Sequence, residues 1–447
     1  MATVVRRNAQ ELVTGALERF PVVAIQGARR VGKSTLAGAV VAGRPHVIVS
    51  LDDAEQRTLA LDDPRGFLAQ RGERTMVIDE VQRVPDLLLA IKAEVDRLGQ
   101  PGRFVLTGSS DFTTLPHIPD SLAGRAVTIA LGGLSMGEID GVHEDFATWV
   151  RSGLPAKPVP TSGWTRADYI DAIVAGGYPE LRPLDEPWRT LWADSYIDRL
   201  TSRDVQDVAE RVAAQRLRAV LGLIAQNQSG ELVKARLAAA AGISERSVTT
   251  CVDALRALYV VTAIPAWSAG VTKRQVGRTK ALVLDSGLAA HLAGVEPDWL
   301  KEHLGANALG PLLEGFVLAE LLKQRVWSAS RWELAHFRDR AGLETDAIIR
   351  FADGRVILLE VKASQTYRSE YFAAMRRLAD GMGDRLVAGI VLTMSDHGYR
   401  YAENLWGLPI SALWTGGSVA SGIGSDADQA SPGVYDIESD GFQIPGA

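Results

Sequence analysis

The stretch Gly27–Thr35 constrains the fold of this chain more than any other. It reads G-x-x-x-x-G-K-S-T, follows the apolar run Val22–Ile25, and opens into an Ala-rich segment. A strand, a Gly-rich loop and a helix in this order make a P-loop, whose backbone N–H groups and helix N-terminus bind phosphate. The sequence therefore predicts a nucleoside triphosphate site at the edge of a parallel α/β sheet.

Each position of this loop has an expected role. Lys33 is expected to reach the β- and γ-phosphates, and the Ser34 hydroxyl is expected to bind Mg²⁺. The backbone of the loop is expected to surround the phosphates. The predicted ATP-binding set is therefore Gly27, Ala28, Arg29, Arg30, Val31, Gly32, Lys33, Ser34 and Thr35.

Two further apolar runs end in polar residues that such a site needs. The first ends in Asp79 and Glu80, about 45 residues after the P-loop. Asp79 is expected to orient the magnesium shell, and Glu80 to act as the general base that polarises the attacking water. The second run ends in Thr107 and Ser109, candidates for contact with the γ-phosphate or the lytic water. The alternative is a Ser/Gly loop that only closes a strand.

Arg125 stands directly before another apolar run, Ala126–Leu131. An arginine before an edge strand could reach the γ-phosphate of a neighbouring subunit as an arginine finger. It could equally form an ordinary ion pair at the surface. Spacing alone leaves both interpretations open.

Several blocks together resemble one family, the AAA+-type P-loop ATPases of bacteria and archaea with a C-terminal restriction-endonuclease-like domain. The blocks are Gly27–Thr35, Ile78–Gln82, Leu106–Ser109, Leu122–Arg125, Leu134–Ile139, Gly176–Glu180 and Arg203–Asp204. The resemblance implies ATP and Mg²⁺ as cofactors, with Lys33 and Glu80 in catalysis. It also favours Arg125 as a finger or sensor, and hence a homo-oligomer, such as a hexameric ring.

Residues 214–300 are predicted to form a winged-helix domain. Helices are expected over 216–226, 231–240 and 245–258, with Ser244 as the N-cap of the third, and strands over 259–264 and 281–285. The functional interpretation is contact with the phosphates of DNA, and the alternative is packing between subunits. The candidate DNA contacts are Arg246, Arg256, Lys273, Arg274, Arg278 and Lys280.

A second set of charged residues lies in the C-terminal third. Asp346 and, after a turn, Glu360 and Lys362 lie on two consecutive apolar runs. Positions two apart share one face of a strand, so Glu360 and Lys362 point together and Asp346 can lie opposite. These carboxylates could hold Mg²⁺ or Mn²⁺, with Lys362 activating water. With Glu314 on the preceding helix, the set resembles the PD-(D/E)xK nuclease fold, although that motif's proline is absent. The alternatives are a surface ion pair, or the fold without cleavage.

Composition adds a few limits. A single cysteine, Cys251, excludes an intramolecular disulfide and any multi-cysteine zinc site. No apolar run approaches the ~18 residues of a membrane span, and the N-terminus lacks a signal-peptide core, so a cytoplasmic protein with no membrane partner is expected. The last residues are acidic, without Lys or Arg, and are predicted to be a disordered tail.

The predicted fold class is α/β, with a helical and winged-helix middle domain between two α/β domains. The parts are a P-loop AAA+ ATPase core with a parallel sheet between helices (1–150), a linker and helical lid (151–213), the winged helix (214–300), the α/β restriction-endonuclease-like domain (301–414) and the tail (415–447). The expected function is ATP hydrolysis by an oligomer that acts on duplex or branched DNA. The alternatives are an ATP-gated, metal-dependent DNA nuclease and a non-catalytic nucleotide switch that binds a protein partner.

Overall fold

The computed structural model describes residues 4–111, 122, 124–154, 160–209, 212–267, 278–302, 306–339 and 342–416. The predicted DNA contacts Lys273 and Arg274, and the predicted tail beyond Gly416, lie outside these residues. Within the described ranges the chain forms three β-sheets with helices packed on them. No helix in these ranges is long and apolar enough to cross a membrane.

The N-terminal part is built on five parallel strands. They are β1 (Val22–Gln26), β2 (His46–Ser50), β3 (Thr75–Asp79), β4 (Phe104–Gly108) and β5 (Ala126–Ala130), in the spatial order β2-β3-β4-β1-β5. The helices of this part are α1 (Gln10–Leu17), α2 (Lys33–Val41), α3 (Ala54–Asp62), α4 (Pro64–Ala69) and α5 (Leu87–Leu98). Strands β1, β3 and β4 are almost entirely buried, as expected for a parallel sheet covered on both faces. Because these strands are parallel, their carboxyl ends meet at one edge of the sheet.

Four helices follow the sheet: α6 (Met136–Asp140), α7 (Phe146–Ser152), α8 (Arg166–Ala175) and α9 (Trp188–Ser202). Helix α6 begins with a capping box, in which the Ser135 and Glu138 side chains each accept a backbone N–H of the other residue. The other oxygen of Glu138 accepts from Arg7 at 3.0 Å, and both side chains are buried. This ion pair joins the start of the chain to the helical region.

The middle part contains three helices and a small antiparallel sheet. The elements are α10 (Ala214–Gln226), β6 (Gly230–Glu231), α11 (Lys234–Ala241), α12 (Glu245–Ala257), β7 (Val261–Ile264) and β8 (Lys280–Val283). Strand β8 is central, antiparallel to both β6 and β7. The Ser244 hydroxyl accepts from the backbone N–H of Ser247 and caps α12, as predicted.

The C-terminal part is a mixed sheet between helices. Its elements are α13 (Ser286–Leu292), α14 (Pro297–Lys301), α15 (Ala306–Gln324), β9 (Trp332–Arg338), β10 (Glu344–Phe351), β11 (Val356–Lys362), α16 (Ala373–Met382), β12 (Leu386–Thr393), β13 (Tyr399–Ala402), β14 (Leu405–Pro409) and α17 (Ala412–Thr415). The strand order is β13-β14-β12-β11-β10-β9. The hairpin between β10 and β11 turns at Gly354, whose φ of 86° suits glycine.

One apolar core runs through all three parts. It includes Val23 of β1, Ile173 of α8, Leu221 of α10, Phe316 of α15 and Ile349 of β10, each at most 3% exposed. The opposite faces of the N-terminal and C-terminal sheets have separate, smaller cores. The main core therefore continues across the boundaries that the sequence predicts between these parts.

Candidate functional site

The P-loop lies between β1 and α2, and two glycines determine its path. A Cβ on Gly27 would lie 2.1 Å from the carbonyl oxygen of Leu131, so no other residue fits there. Gly32 has a φ of 96° and immediately precedes the first residue of α2. The N–H groups of the first helical turn therefore open toward the loop, as phosphate binding requires.

Lys33 is folded into the loop. Its Nζ donates to the carbonyl oxygens of Gly27 at 3.0 Å and Ala28 at 2.9 Å. Burial lowers the pKa of this ammonium group to about 8, against the opposing effect of Glu80 and Asp79. A cationic group held by neutral carbonyls in a buried loop is suited to receive an anion.

Three predicted residues meet at the carboxyl ends of β3 and β4. The Ser34 hydroxyl donates to Asp79 Oδ1 at 2.7 Å, and the Thr107 hydroxyl donates to the same oxygen. Thr107 Oγ1 also accepts the Glu80 backbone N–H at 3.3 Å. A hydroxyl and a carboxylate in contact are oxygen donors of the kind that Mg²⁺ takes in nucleotide sites, so these residues fit that ion.

Glu80 is held in a strained conformation next to this group. Its φ of 57° is unusual for a residue with a side chain, and such strain is often found at functional positions. The buried carboxylate accepts from Ser109 Oγ at 2.9 Å and from the Gln82 side-chain amide, which also donates to Ser109 at 2.9 Å. Gln82 lies in a block noted in the sequence, but nothing there indicated that its side chain positions Glu80.

The two arginines of the P-loop point in different directions. The Arg29 side chain is 13% exposed and lies 3.4 Å from Asp52 and 3.6 Å from Glu80. Its Nε and Nη1 have no hydrogen-bond acceptor among the described residues. The Arg30 side chain is 55% exposed and donates to Glu180 at 2.7 Å. Of these two arginines, only Arg29 therefore faces the Glu80 carboxylate.

Acidic residues from distant parts of the chain surround Arg29. Asp52 follows β2 and accepts from Arg83 at 3.2 Å, and Arg83 also contacts Asp207 at 3.2 Å. Burial raises the pKa of Asp204, which lies in this cluster near Arg29. The Arg203–Asp204 block was noted in the sequence as part of a resemblance, but its proximity to the nucleotide site was not predicted.

Arg125 lies at the opposite end of the sheet from the P-loop. Ala126 pairs with Val22, the first residue of β1, whereas the P-loop follows the last residue of that strand. Five residues of strand span roughly 16 Å, so Arg125 does not reach the P-loop of its own chain. Its guanidinium contacts Asp96 of α5, with Nη2 at 3.1 Å from Oδ2.

The predicted DNA contacts that the structure describes fall into two groups. Arg246 and Arg256 are exposed on α12, and Arg278 is exposed and donates to Glu231 at 3.0 Å. Lys280 is different, because its side chain is only 15% exposed and its Nζ lies between two carboxylates. This corrects the prediction for Lys280, which is turned inward and is not placed to contact DNA.

The predicted nuclease-like residues do come together, with Lys280 among them. Lys280 Nζ lies 2.6 Å from Glu314 Oε1 and 3.7 Å from Asp346 Oδ1. Lys362 Nζ lies 2.6 Å from Glu360 Oε1, and Asp346 Oδ2 accepts the Val361 backbone N–H at 2.8 Å. We call Glu314, Asp346, Glu360, Lys280 and Lys362 the carboxylate centre.

This centre does not fit a divalent metal as it stands. Among the described residues no three acidic, histidine or cysteine side chains are arranged to hold a metal ion. The ammonium of Lys280 lies where an ion shared by Glu314 and Asp346 would be. Burial and the nearby Asp346 raise the pKa of Glu314 to about 8 and that of Glu360 to about 7. The expectation of Mg²⁺ or Mn²⁺ here is not met in this conformation.

Comparison with known families assigns the N-terminal part. Residues 19–140 match the family described as AAA domain. Together with the parallel sheet and the P-loop, this match identifies that part as an AAA-type P-loop ATPase domain. Residues 166–298 and 309–413 match two families described as domains of unknown function, DUF8612 and DUF4143.

Similar proteins include the uncharacterized protein Rv2008c of Mycobacterium tuberculosis and the uncharacterized protein Mb2031c of Mycobacterium bovis. Each is 27% identical over 416 residues, which is 93% of this chain and 86% of the relative. Among solved structures, the Walker-type ATPase PABY2304 of Pyrococcus abyssi is 16% identical, covers 65% of this chain and 96% of its own, and has a TM-score of 0.41. AMPPCP-bound DnaA from Aquifex aeolicus is 17% identical, covers 57% and 89%, and has a TM-score of 0.25.

Proposed function

We propose that this chain hydrolyses ATP at the P-loop, as one subunit of a homo-oligomer, and that it uses this activity on DNA. The observation that carries the ATPase proposal is the contact network around Glu80. Ser34 and Thr107 contact Asp79, while Ser109 and Gln82 hold the Glu80 carboxylate beside them. A binding module without hydrolysis has no need for a strained, positioned carboxylate at this edge.

The residues divide the work of hydrolysis. Lys33 and the N–H groups at the start of α2 bind the phosphates, and Ser34 and Asp79 would hold Mg²⁺, which neutralises phosphate charge when bound. Glu80 accepts a proton from water as the water oxygen attacks the γ-phosphorus and the bond to ADP breaks. Ser109 and Gln82 keep the Glu80 carboxylate in one orientation, and the Thr107 hydroxyl links the Glu80 backbone N–H to the Asp79 carboxylate.

Replacement of the base tests this proposal. We expect Glu80→Gln to keep ATP binding and to lower kcat by about 100-fold or more, because a positioned general base contributes that much. The control is Glu73→Gln, the same change at an exposed position on the loop before β3. Binding of a fluorescent ATP analogue and phosphate release would be measured for both. Full turnover by Glu80→Gln would contradict the proposal.

Two observations support assembly and a shared site. Arg125 lies too far from its own P-loop to act there, and it precedes β5, which is an edge strand of the sheet. Both observations are consistent with an arginine finger that acts in a second copy of the chain. An edge strand is free to face another subunit, and Arg125 of one subunit would then lie at the nucleotide of the next. The alternative role for Arg125 remains the ion pair with Asp96.

The middle part supports action on DNA. The middle part has the element order α10, β6, α11, α12, β7, β8, which is the order expected of a winged helix with α12 as its third helix. Arg246, Arg256 and Arg278 are exposed there, and backbone phosphates are the natural partners of such side chains. A protein-binding switch is the alternative, and dependence of binding on salt concentration separates the two.

A further inference from the structure

The carboxylate centre contains two lysines, and one of them, Lys280, comes from a different part of the chain. Glu314, Asp346 and Glu360 belong to α15, β10 and β11 of the C-terminal part, whereas Lys280 is the first residue of β8 in the middle part. We infer that Lys280 is the built-in counter-ion of this centre and excludes divalent metal from it. This inference does not rest on ATP hydrolysis.

The backbone that carries Lys280 is held firmly. Lys280 lies on the central strand of its sheet, where it pairs with Glu231 on one side and Ile264 on the other. On the same strand, the Val283 N–H donates to Gln228 and the Val283 carbonyl accepts from it. A lysine on such a strand does not leave the centre by a simple change of backbone.

The C-terminal sheet also grips this strand directly. The ring Nε2 of His336, on β9, lies 2.9 Å from the Arg278 carbonyl oxygen, and the His336 backbone N–H donates to the Pro265 carbonyl at 3.0 Å. The His336 carbonyl accepts the Trp267 N–H at 2.6 Å. Pro265, which follows β7, and Arg278, two residues before β8, are therefore both bonded to His336 of β9.

Electrostatics explain why metal and lysine exclude each other. Lys280 Nζ is within 4 Å of oxygens of both Glu314 and Asp346, the two carboxylates that a shared ion would need. A second cation at such a distance from the ammonium group is repelled strongly, because a partly buried site screens charges less than water does. The Oε2 of Glu360 is buried and has no hydrogen-bond partner among the described residues, so one donor stays available when Lys280 is removed.

The consequence concerns the alternative of an ATP-gated nuclease. Metal-dependent cleavage at this centre requires that the Lys280 ammonium group first withdraw from Glu314 and Asp346. Because the backbone of β8 is held by its neighbours, this withdrawal is either a rotation of the lysine side chain or a movement of β8 as a whole. In the conformation described here the ion pair of Lys280 with Glu314 joins the middle part to the C-terminal part.

Removal of the lysine charge tests the inference. Free Mn²⁺ would be titrated into nucleotide-free, full-length protein and followed by electron paramagnetic resonance, for wild type, Lys280→Met and Lys280→Met/Asp346→Asn. We expect Lys280→Met to bind one Mn²⁺ at the carboxylate centre with a Kd at least about tenfold lower than that of wild type for the same centre. The added Asp346→Asn change should abolish this binding. Lys234→Met, the same change at an exposed lysine at the start of α11, is the matched control and should bind Mn²⁺ as wild type does.

Thermal unfolding shows whether each variant folds, so that a folding defect is not mistaken for a loss of Mn²⁺ binding. Lys280→Met leaves the partly buried carboxylates of Glu314 and Asp346 without the cation they share, and this variant should melt at a lower temperature than wild type. Mn²⁺ should raise the melting temperature of Lys280→Met and leave that of wild type unchanged. Mn²⁺ binding by wild type that is lost in the single variant Asp346→Asn would overturn the inference. So would a Lys280→Met protein that folds and gains no Mn²⁺ site.

Discussion

Arg29 and Arg30 are adjacent in the P-loop, yet only one of them is part of the site. Arg30 has a left-handed backbone, with a φ of 68°, and its side chain reaches out to Glu180. Arg29 is turned toward Glu80 and Asp52, with Asp204 nearby. Its positive charge offsets carboxylates that would otherwise repel both each other and the triphosphate of ATP.

We therefore expect unequal effects from two identical substitutions. Arg29→Ala should lower kcat/KM for ATP at least about tenfold, because the acidic cluster is then uncompensated next to the phosphates. Arg30→Ala removes only an exposed ion pair and should change kcat/KM by less than about twofold. Steady-state phosphate release gives both numbers. Equal losses of kcat/KM in the two variants would show that Arg29 contributes no more to ATP hydrolysis than Arg30 does.

Much of the residue-scale prediction came from motifs whose geometry is local. Ser34 and Asp79 are in contact, and Thr107 and Ser109 lie at the strand end where the sequence puts them, bonded to Asp79 and Glu80. Their contact with the γ-phosphate or the lytic water stays a prediction. The difference between Arg29 and Arg30 could not be predicted, because it depends on one backbone angle and on acids from distant segments. The prediction that Lys280 contacts DNA was wrong for the same reason, because its partners Glu314 and Asp346 come from later elements of the chain.

At the scale of elements, α11 shows how pairing overrides a local pattern. A helix was expected from residue 231, but α11 begins at Lys234 because Gly230 and Glu231 form β6 and pair with β8. Strand pairing of residues 50 positions apart is not visible in the spacing of apolar residues. The start of α12, in contrast, was predicted correctly, because its Ser244 cap is a local signal.

Helix α12 also carries the prediction for DNA. Arg246→Ala and Arg256→Ala should each weaken binding of duplex or four-way-junction DNA, and each should reduce the slope of log K against log salt by about one if a phosphate contact is lost. Fluorescence anisotropy at several salt concentrations measures this. Arg19→Ala, at an exposed arginine in the turn after α1, is the control. Unchanged slopes in both α12 variants would favour the protein-binding alternative.

At the scale of the whole molecule, the main question is whether subunits share the ATP site. Lys33→Ala removes the phosphate-binding lysine, and Arg125→Ala removes the proposed finger. If Arg125 acts on a neighbouring subunit, each variant alone is inactive, but a mixture regains activity wherever an intact P-loop meets an intact Arg125.

Phosphate release from the mixture, compared with each variant alone, decides this. The control mixture is Lys33→Ala with Glu80→Gln, because both changes damage the same P-loop site and mixing cannot restore it. An Arg125→Ala protein with full activity on its own would identify Arg125 as a surface ion pair with Asp96. Analytical ultracentrifugation with and without ATP would report whether copies associate.

The sequence predicts the fold class of the ATPase part well and the connections between parts poorly. Strand β1, the P-loop and Asp79 are local patterns, and the family match over 19–140 covers them. The shared core and the carboxylate centre depend on contacts between segments that are far apart in the chain, such as α15 with β8. Spacing rules carry no information about such contacts.

The shared core has a practical consequence for dissecting this protein. A fragment that ends near residue 150 would leave Leu131, Met136 and Phe146, each at most 3% exposed in the intact chain, without the later helices that cover them. Such a fragment exposes an apolar surface to water and is prone to aggregate. The role of the ATPase part is therefore better studied by point substitutions in the full-length chain than by truncation.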